Sequence, residues 1–215
     1  MKIVVCSNPA PEMSAIDGKY DLALVCGICP TFDPHLITWN IINSVDYIEQ
    51  KFNPWLHGVD AAVRVVIGGP RDHIAEFYGA QMSYYMPGEY LQDDMIVAKG
   101  LNIYAMPWYL PYEMDDKESG AFRARTKEFM NVAIDSIPDE TDILLTNTHA
   151  HHCAEDVLPY FQGDQRLGNR LASLKRLKLL IHSNRSCEAE LNQPRKYLTI
   201  CASRETIGSS TVIHM

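Results

Sequence analysis

The chain has 215 residues, 47% of them hydrophobic and 21% charged, which suits one domain with a sizeable core. A formal net charge of −8 argues against a nucleic-acid backbone as partner, because that binding rests on clustered Lys and Arg. No run of about 18 apolar residues offers a membrane span, and the apolar part of MKIVVCSNPAPEM is too short for a signal peptide.

In chain order, Lys2–Ser7 is a β-rich run that Asn8-Pro9-Ala10-Pro11 cannot continue. Tyr20–Cys26 is a second apolar run, of the kind found in buried parallel strands. The segment 34–52 places Leu36, Ile37, Ile41, Val45, Ile48 and Phe52 at helical spacing, opened by Asp33-Pro34 and expected to end before Pro54. A third strand, 62–67, is cut off by Gly68-Gly69-Pro70, after which Asp72 is placed to cap a short helix. A polar and aromatic connection, 79–94, leads into a predicted hairpin of 95–98 and 101–106 around Lys99-Gly100.

A loop rich in Pro and acid follows at 108–120, and a helix is predicted over 121–137 with Phe122, Phe129, Met130, Val132 and Ala133 inward. The run Ile143-Leu144-Leu145 reads as a buried strand that stops at Thr146-Asn147 and three histidines. Further elements are 156–161, a helix around 167–174, and strands at 177–181, 197–202 and 210–214. With no repeat, low-complexity tract or linker, residues 1–215 read as a single domain.

The six cysteines, Cys6, Cys26, Cys29, Cys153, Cys187 and Cys201, are scattered through a chain with a core of its own, the pattern of reduced thiols in a cytoplasmic protein. Cys26 and Cys29 have CxxC spacing but no second CxxC to complete a zinc set.

Strand after strand ends in a polar cluster: Ser7-Asn8, Gly27-Ile28, Gly69-Pro70-Arg71-Asp72, Thr146-Asn147 and Ser183-Asn184-Arg185-Ser186. Together with LNIYAMPW at 101–108 and AFRARTKEFMNVAIDSIPDETDILLTNTHA at 121–150, this pattern resembles the calcineurin-like metallophosphoesterases. Their small compact branch, related to the brain-expressed metallophosphoesterase-domain proteins, is the nearest resemblance. It implies an α/β fold, a two-sheet sandwich flanked by helices in four layers α-β-β-α, with a two-metal site at the strand ends.

Carried over residue by residue, the resemblance implies that every ligand has been replaced. Asn8 and Ala10 stand where the family has Asp-x-His, and Ile28 stands for the carboxylate that bridges both metals. Pro70 and Arg71 replace the Asn and His of Gly-Asn-His-Asp, Asn147 replaces a His, and Asn184 and Ser186 replace the final pair of histidines. Two dications about 4 Å apart repel by roughly 16 kcal/mol at an effective dielectric of 20, so such a site needs anionic ligands. Neutral amides lend only a carbonyl, isoleucine lends nothing, and Arg71 adds charge of the wrong sign.

The expectation is a catalytically inactive pseudoenzyme without a cofactor, serving as a binding or structural module through a protein partner or self-association. The alternative is a metal-dependent phosphoesterase or phosphodiesterase with a rebuilt or displaced site and manganese or another divalent ion. Separately, His149, His151 and Cys153 are candidates for holding a transition metal, against a plain reading as solvated or loop-packing side chains. His182, at the end of an apolar strand, reads as a satisfied core histidine. Arg71 and Arg185 are candidates for holding an anion in the emptied cleft, since a guanidinium matches phosphate or carboxylate oxygens.

Overall fold

Alternating apolar residues send one set of side chains to each face of two sheets. The computed structural model describes residues 1–7, 15–29, 44–110, 120–148, 164–182, 197–201 and 210–215. In the first sheet β1 (Lys2–Ser7), β2 (Tyr20–Cys26), β3 (Ala61–Ile67) and β4 (Glu89–Leu91) run parallel in chain order. In the second, β5 (Asp94–Ala98) pairs antiparallel with β6 (Leu101–Met106), and β7 (Ile143–Thr146), β8 (Leu179–His182) and β9 (Leu198–Cys201) follow in parallel. The last strand, β10 (Ser210–His214), returns to the first sheet antiparallel to β1.

The facing sides of the sheets share one core. Ile3, Leu24, Val65 and Ile67 come from the first sheet; Ile103, Ile143, Leu145 and Ile181 come from the second. The opposite sides carry helices. Val4, Val25 and Val66 pack with Phe52, Leu56 and Ile74, while Tyr104, Leu144 and Leu180 pack with Met130, Ile134, Leu167 and Leu171. The order of layers is therefore helix, sheet, sheet, helix, as expected from the sequence. No helix among the described residues is long and apolar enough to cross a membrane.

Three local expectations are corrected. The helix before Pro54 does not stop there: a π-helical turn, Ile48–Phe52, leads into α1 (Asn53–Gly58). Proline removes an N–H and crowds the carbonyl four residues back, and a wider turn in which the Asn53 N–H reaches Ile48 O makes room for it. The connection 79–94 is also more regular than expected. It contains a 3-10 turn, Gly79–Tyr84, after the short helix α2 (His73–Tyr78), and then β4.

The third correction concerns the helix predicted over 121–137. It is shorter, α3 (Lys127–Asp135), capped by the Thr126 side chain, which accepts from Phe129 N at 3.1 Å. Residues ahead of it form turns instead, with Phe122 buried at a φ of 59°. This changes which face is inward. Met130, Ala133 and Ile134 are buried, whereas Phe129 is 43% and Val132 66% exposed. Helix α4 (Gln165–Ser173) packs beside α3, capped by Asp164. We predict that Met130→Ala costs about 2–5 kcal/mol of stability in urea unfolding. Val132→Ala should stay within about 0.5 kcal/mol. Equal losses would contradict this orientation.

At the edge where β7 and β8 begin, the buried Asp142 carboxylate accepts from Asn102 N at 2.9 Å and lies 3.0 Å from both Arg176 and Lys178. Burial opposes its ionisation, but the Asn102 N–H and the two cations outweigh this and hold the carboxyl below its ordinary value. A depressed folded-state pKa gives stability that is present above the unfolded value of about 3.9 and lost as pH falls through the folded one. Urea midpoints should therefore show the wild type losing its advantage over Asp142→Asn as pH drops below about 4. An advantage unchanged across that range would contradict the assignment.

Candidate functional site

Parallel strands share a C-terminal edge, and ligand sites in open α/β sheets form outside such edges. Here the ends of β2, β3, β6 and β7 are drawn together by two buried polar side chains, Asp72 and Asn147. Asn147, just past β7, donates through Nδ2 to Gly68 O at 2.9 Å and to Pro107 O at 2.6 Å. One amide thus ties the end of β3 in one sheet to the end of β6 in the other. Beside it, Thr148 Oγ1 donates to Trp108 O at 2.9 Å.

Asp72 organises the first sheet's side of this edge. Its Oδ2 accepts from Ile28 N at 2.8 Å and Gly69 N at 2.5 Å, and its Oδ1 accepts from Cys29 N at 2.6 Å. The carboxylate is 1% exposed, and burial pushes its pKa above the ordinary value against the pull of these three donors. The expectation that it caps the following helix is corrected. Asp72 occupies the position before α2 and its backbone oxygen accepts from Glu76 N, but its side chain makes no capping bond. The carboxylate turns back because the loop after β2 presents two N–H groups that no strand partner satisfies, and a buried N–H without an acceptor is costly.

Ile28 is fully buried, and its side chain lies in the core between the first sheet and its helices. It offers no donor atom to a cleft. Pro70 and Arg71 are half-buried in the loop after β3, and Asn147 is buried as described. The other predicted positions, Asn8, Ala10, His149, His151, Cys153, Asn184, Arg185 and Ser186, lie outside the described residues. Of the expected positions, the structure therefore places Ile28, Pro70, Arg71 and Asn147 on neighbouring loops of one edge. Among the described residues no group of three or more His, Cys, Asp or Glu side chains is placed to hold a metal.

The CxxC pair does not form a joint site. Cys26 points into the core between the sheets and Cys29 into the core on the helical side, and both thiols are free and buried. Burial pushes the Cys26 thiol up to about 12, and Cys29 is raised as well, first by burial and then by the nearby Asp72 charge. Neutral thiols of this kind are inert. His182 is 1% exposed at the end of β8, in register with Thr146.

Sequence reasoning misses the structural roles of Asp72 and Asn147, although the glycine pair ahead of Asp72 carries a signal. A Cβ on Gly68 would stand 2.4 Å from the Phe122 ring, so the loop needs glycine there to approach so closely. Asp72→Asn replaces an acceptor with a donor facing buried N–H groups. It should cost about 1–3 kcal/mol, read as a lowered urea midpoint at neutral pH. An unchanged midpoint would mean that the three bonds do not hold the edge.

No known family model and no curated protein matches the sequence. Solved structures do share the fold. One crystal structure superposes with a TM-score of 0.62 at 11% identity, covering 99% of this chain and 94% of the other. The crystal structure of TT1561 of Thermus thermophilus superposes with a TM-score of 0.51 at 12% identity, covering 87% of this chain and 83% of that one. Likeness at such low identity is a likeness of fold.

Proposed function

We propose that the chain is a metallophosphoesterase-like protein in which the two-metal chemistry has been lost and the scaffold serves as a binding module. The observation that carries this reading is Ile28. By resemblance it occupies the position of the bridging carboxylate, and it is an aliphatic side chain, fully buried in the core, with its N–H bonded to Asp72. The neighbouring positions support the same reading. Asn147 commits its amide nitrogen to two backbone carbonyls, and Asp72, the residue the family motif retains, commits both carboxylate oxygens to backbone N–H groups.

These described positions do not fit a pair of divalent ions. Such a pair needs negative charge supplied between the two cations, and Ile28, Pro70, Arg71 and Asn147 supply none. Without bound metal, nothing at these positions lowers the pKa of a water toward neutrality. The two-sheet scaffold is retained, and its loops and helical faces are what remain for recognition of a partner protein or of a second copy.

The test is hydrolysis of bis-p-nitrophenyl phosphate with added manganese, beside the variant Ile28→Asp. The wild type should give no turnover above buffer. Ile28→Asp should lose several kcal/mol, because it buries a second carboxylate near Asp72 with no cation between them, and manganese should not restore it. Manganese-dependent turnover by the wild type, or rescue of the variant by manganese, would overturn the proposal.

A further inference from the structure

On the outer side of the second sheet, α3 and the β5–β6 hairpin enclose a groove of about 430 Å³, open to solvent. Its size falls in the usual range for ligand sites, roughly 300–1,000 Å³. Tyr104, Trp108, Phe129 and Val132 supply apolar lining, and Asp93 and Asp94 line it as well. The groove exists because α3 turns Phe129 and Val132 outward, where they remain 43% and 66% exposed. Its aromatic part is braced. Trp108 donates from Nε1 to Asp93 Oδ2 at 2.5 Å, and its ring meets Phe129 edge to face with centroids 4.8 Å apart.

Asp93 is held in an unusual place. Its φ is 50°, in the left-handed region, and its N–H donates to Ala105 O at 2.8 Å. Partial burial raises its carboxyl above the ordinary value, while the Trp108 N–H opposes that shift. The Asp94 carboxylate accepts from the N–H of its own neighbour, Met95, at 2.7 Å and stays exposed. Carboxylates beside a half-exposed Phe129 ring and a partly exposed Trp108 ring are the two halves of a site for an organic cation. Aromatic rings attract cations through their quadrupole, and a guanidinium stacks on rings while forking to carboxylates.

We propose that this groove binds the arginine side chain of a basic segment on a partner protein, stacked against Trp108 and Phe129 and paired with Asp93 and Asp94. Charge complementarity selects this occupant over an acidic or purely apolar one. The chain's formal net charge of −8 adds a long-range field that steers basic partners toward it. An open groove suits a side chain delivered by a partner better than a small molecule that must be enclosed to bind. The proposal gives the binding-module reading a partner chemistry, but none of its groove residues is a former metal position. Failure here leaves the phosphodiesterase result untouched, and the reverse also holds.

The test uses the full chain and N-acetyl-arginine methylamide, followed by NMR at the Trp108 indole N–H. A saturable shift at millimolar probe is expected, with none from the neutral isostere N-acetyl-norleucine methylamide. Asp94→Asn and Phe129→Ala, both at exposed positions, should each weaken the probe roughly two- to fivefold. Circular dichroism of both variants checks that the fold is intact. No shift at tens of millimolar, an equal shift from norleucine, or unchanged affinity in both variants would overturn the proposal. Tighter binding of spermidine than of the arginine probe would overturn the assignment to a protein side chain.

Discussion

A buried carboxylate that faces three backbone N–H groups sets the shape of the strand-end edge. Taking Asp72 out of water carries a desolvation cost, and the bonds from Ile28, Cys29 and Gly69 offset part of it. Those same bonds join the loop after β2 to the loop after β3. They also fix Ile28 with its N–H toward Asp72 and its side chain in the helical-side core. Asn147 then extends the tie across to the second sheet through Gly68 and Pro107. Polar groups that sit at an edge suited to ligands are here turned inward and used to hold the edge together.

The strands are legible in the sequence because they are short continuous apolar runs cut off by polar or turn residues, as strands buried on both faces are. Ile3 and Val5, Leu22 and Leu24, and Ile143 and Leu145 fall on the intersheet side, and their neighbours in sequence fall on the helical side. The hairpin is legible from Lys99-Gly100, whose φ values of 54° and 76° match the turn that such a pair favours. The facing direction of α3 is not legible. Phe129 and Val132 are apolar at helical spacing, and only the packing of Met130, Ala133 and Ile134 against the core shows that they fall on the outer face.

Asp72 misleads for a related reason. Asp ahead of a short helix has a local explanation as a cap, whereas its real partners, Ile28 and Cys29, lie 44 and 43 residues away in sequence. Long-range hydrogen bonds leave no periodicity to read. Pro54 misleads because proline normally ends a helix, and the π-helical turn that accommodates it has no sequence signature of its own.

Trp108 links the edge to the groove beside it. Its backbone oxygen accepts from Thr148 at the end of β7, its indole bonds Asp93, and its ring contacts both Phe122 and Phe129. Calorimetric titration of manganese into the chelator-treated full chain tests the proposed loss of metal chemistry most directly. Heats equal to those of dilution, with an unchanged Tm, are the predicted result. A saturable isotherm accompanied by a Tm raised several degrees would contradict it, because an ion that binds the folded form stabilises that form.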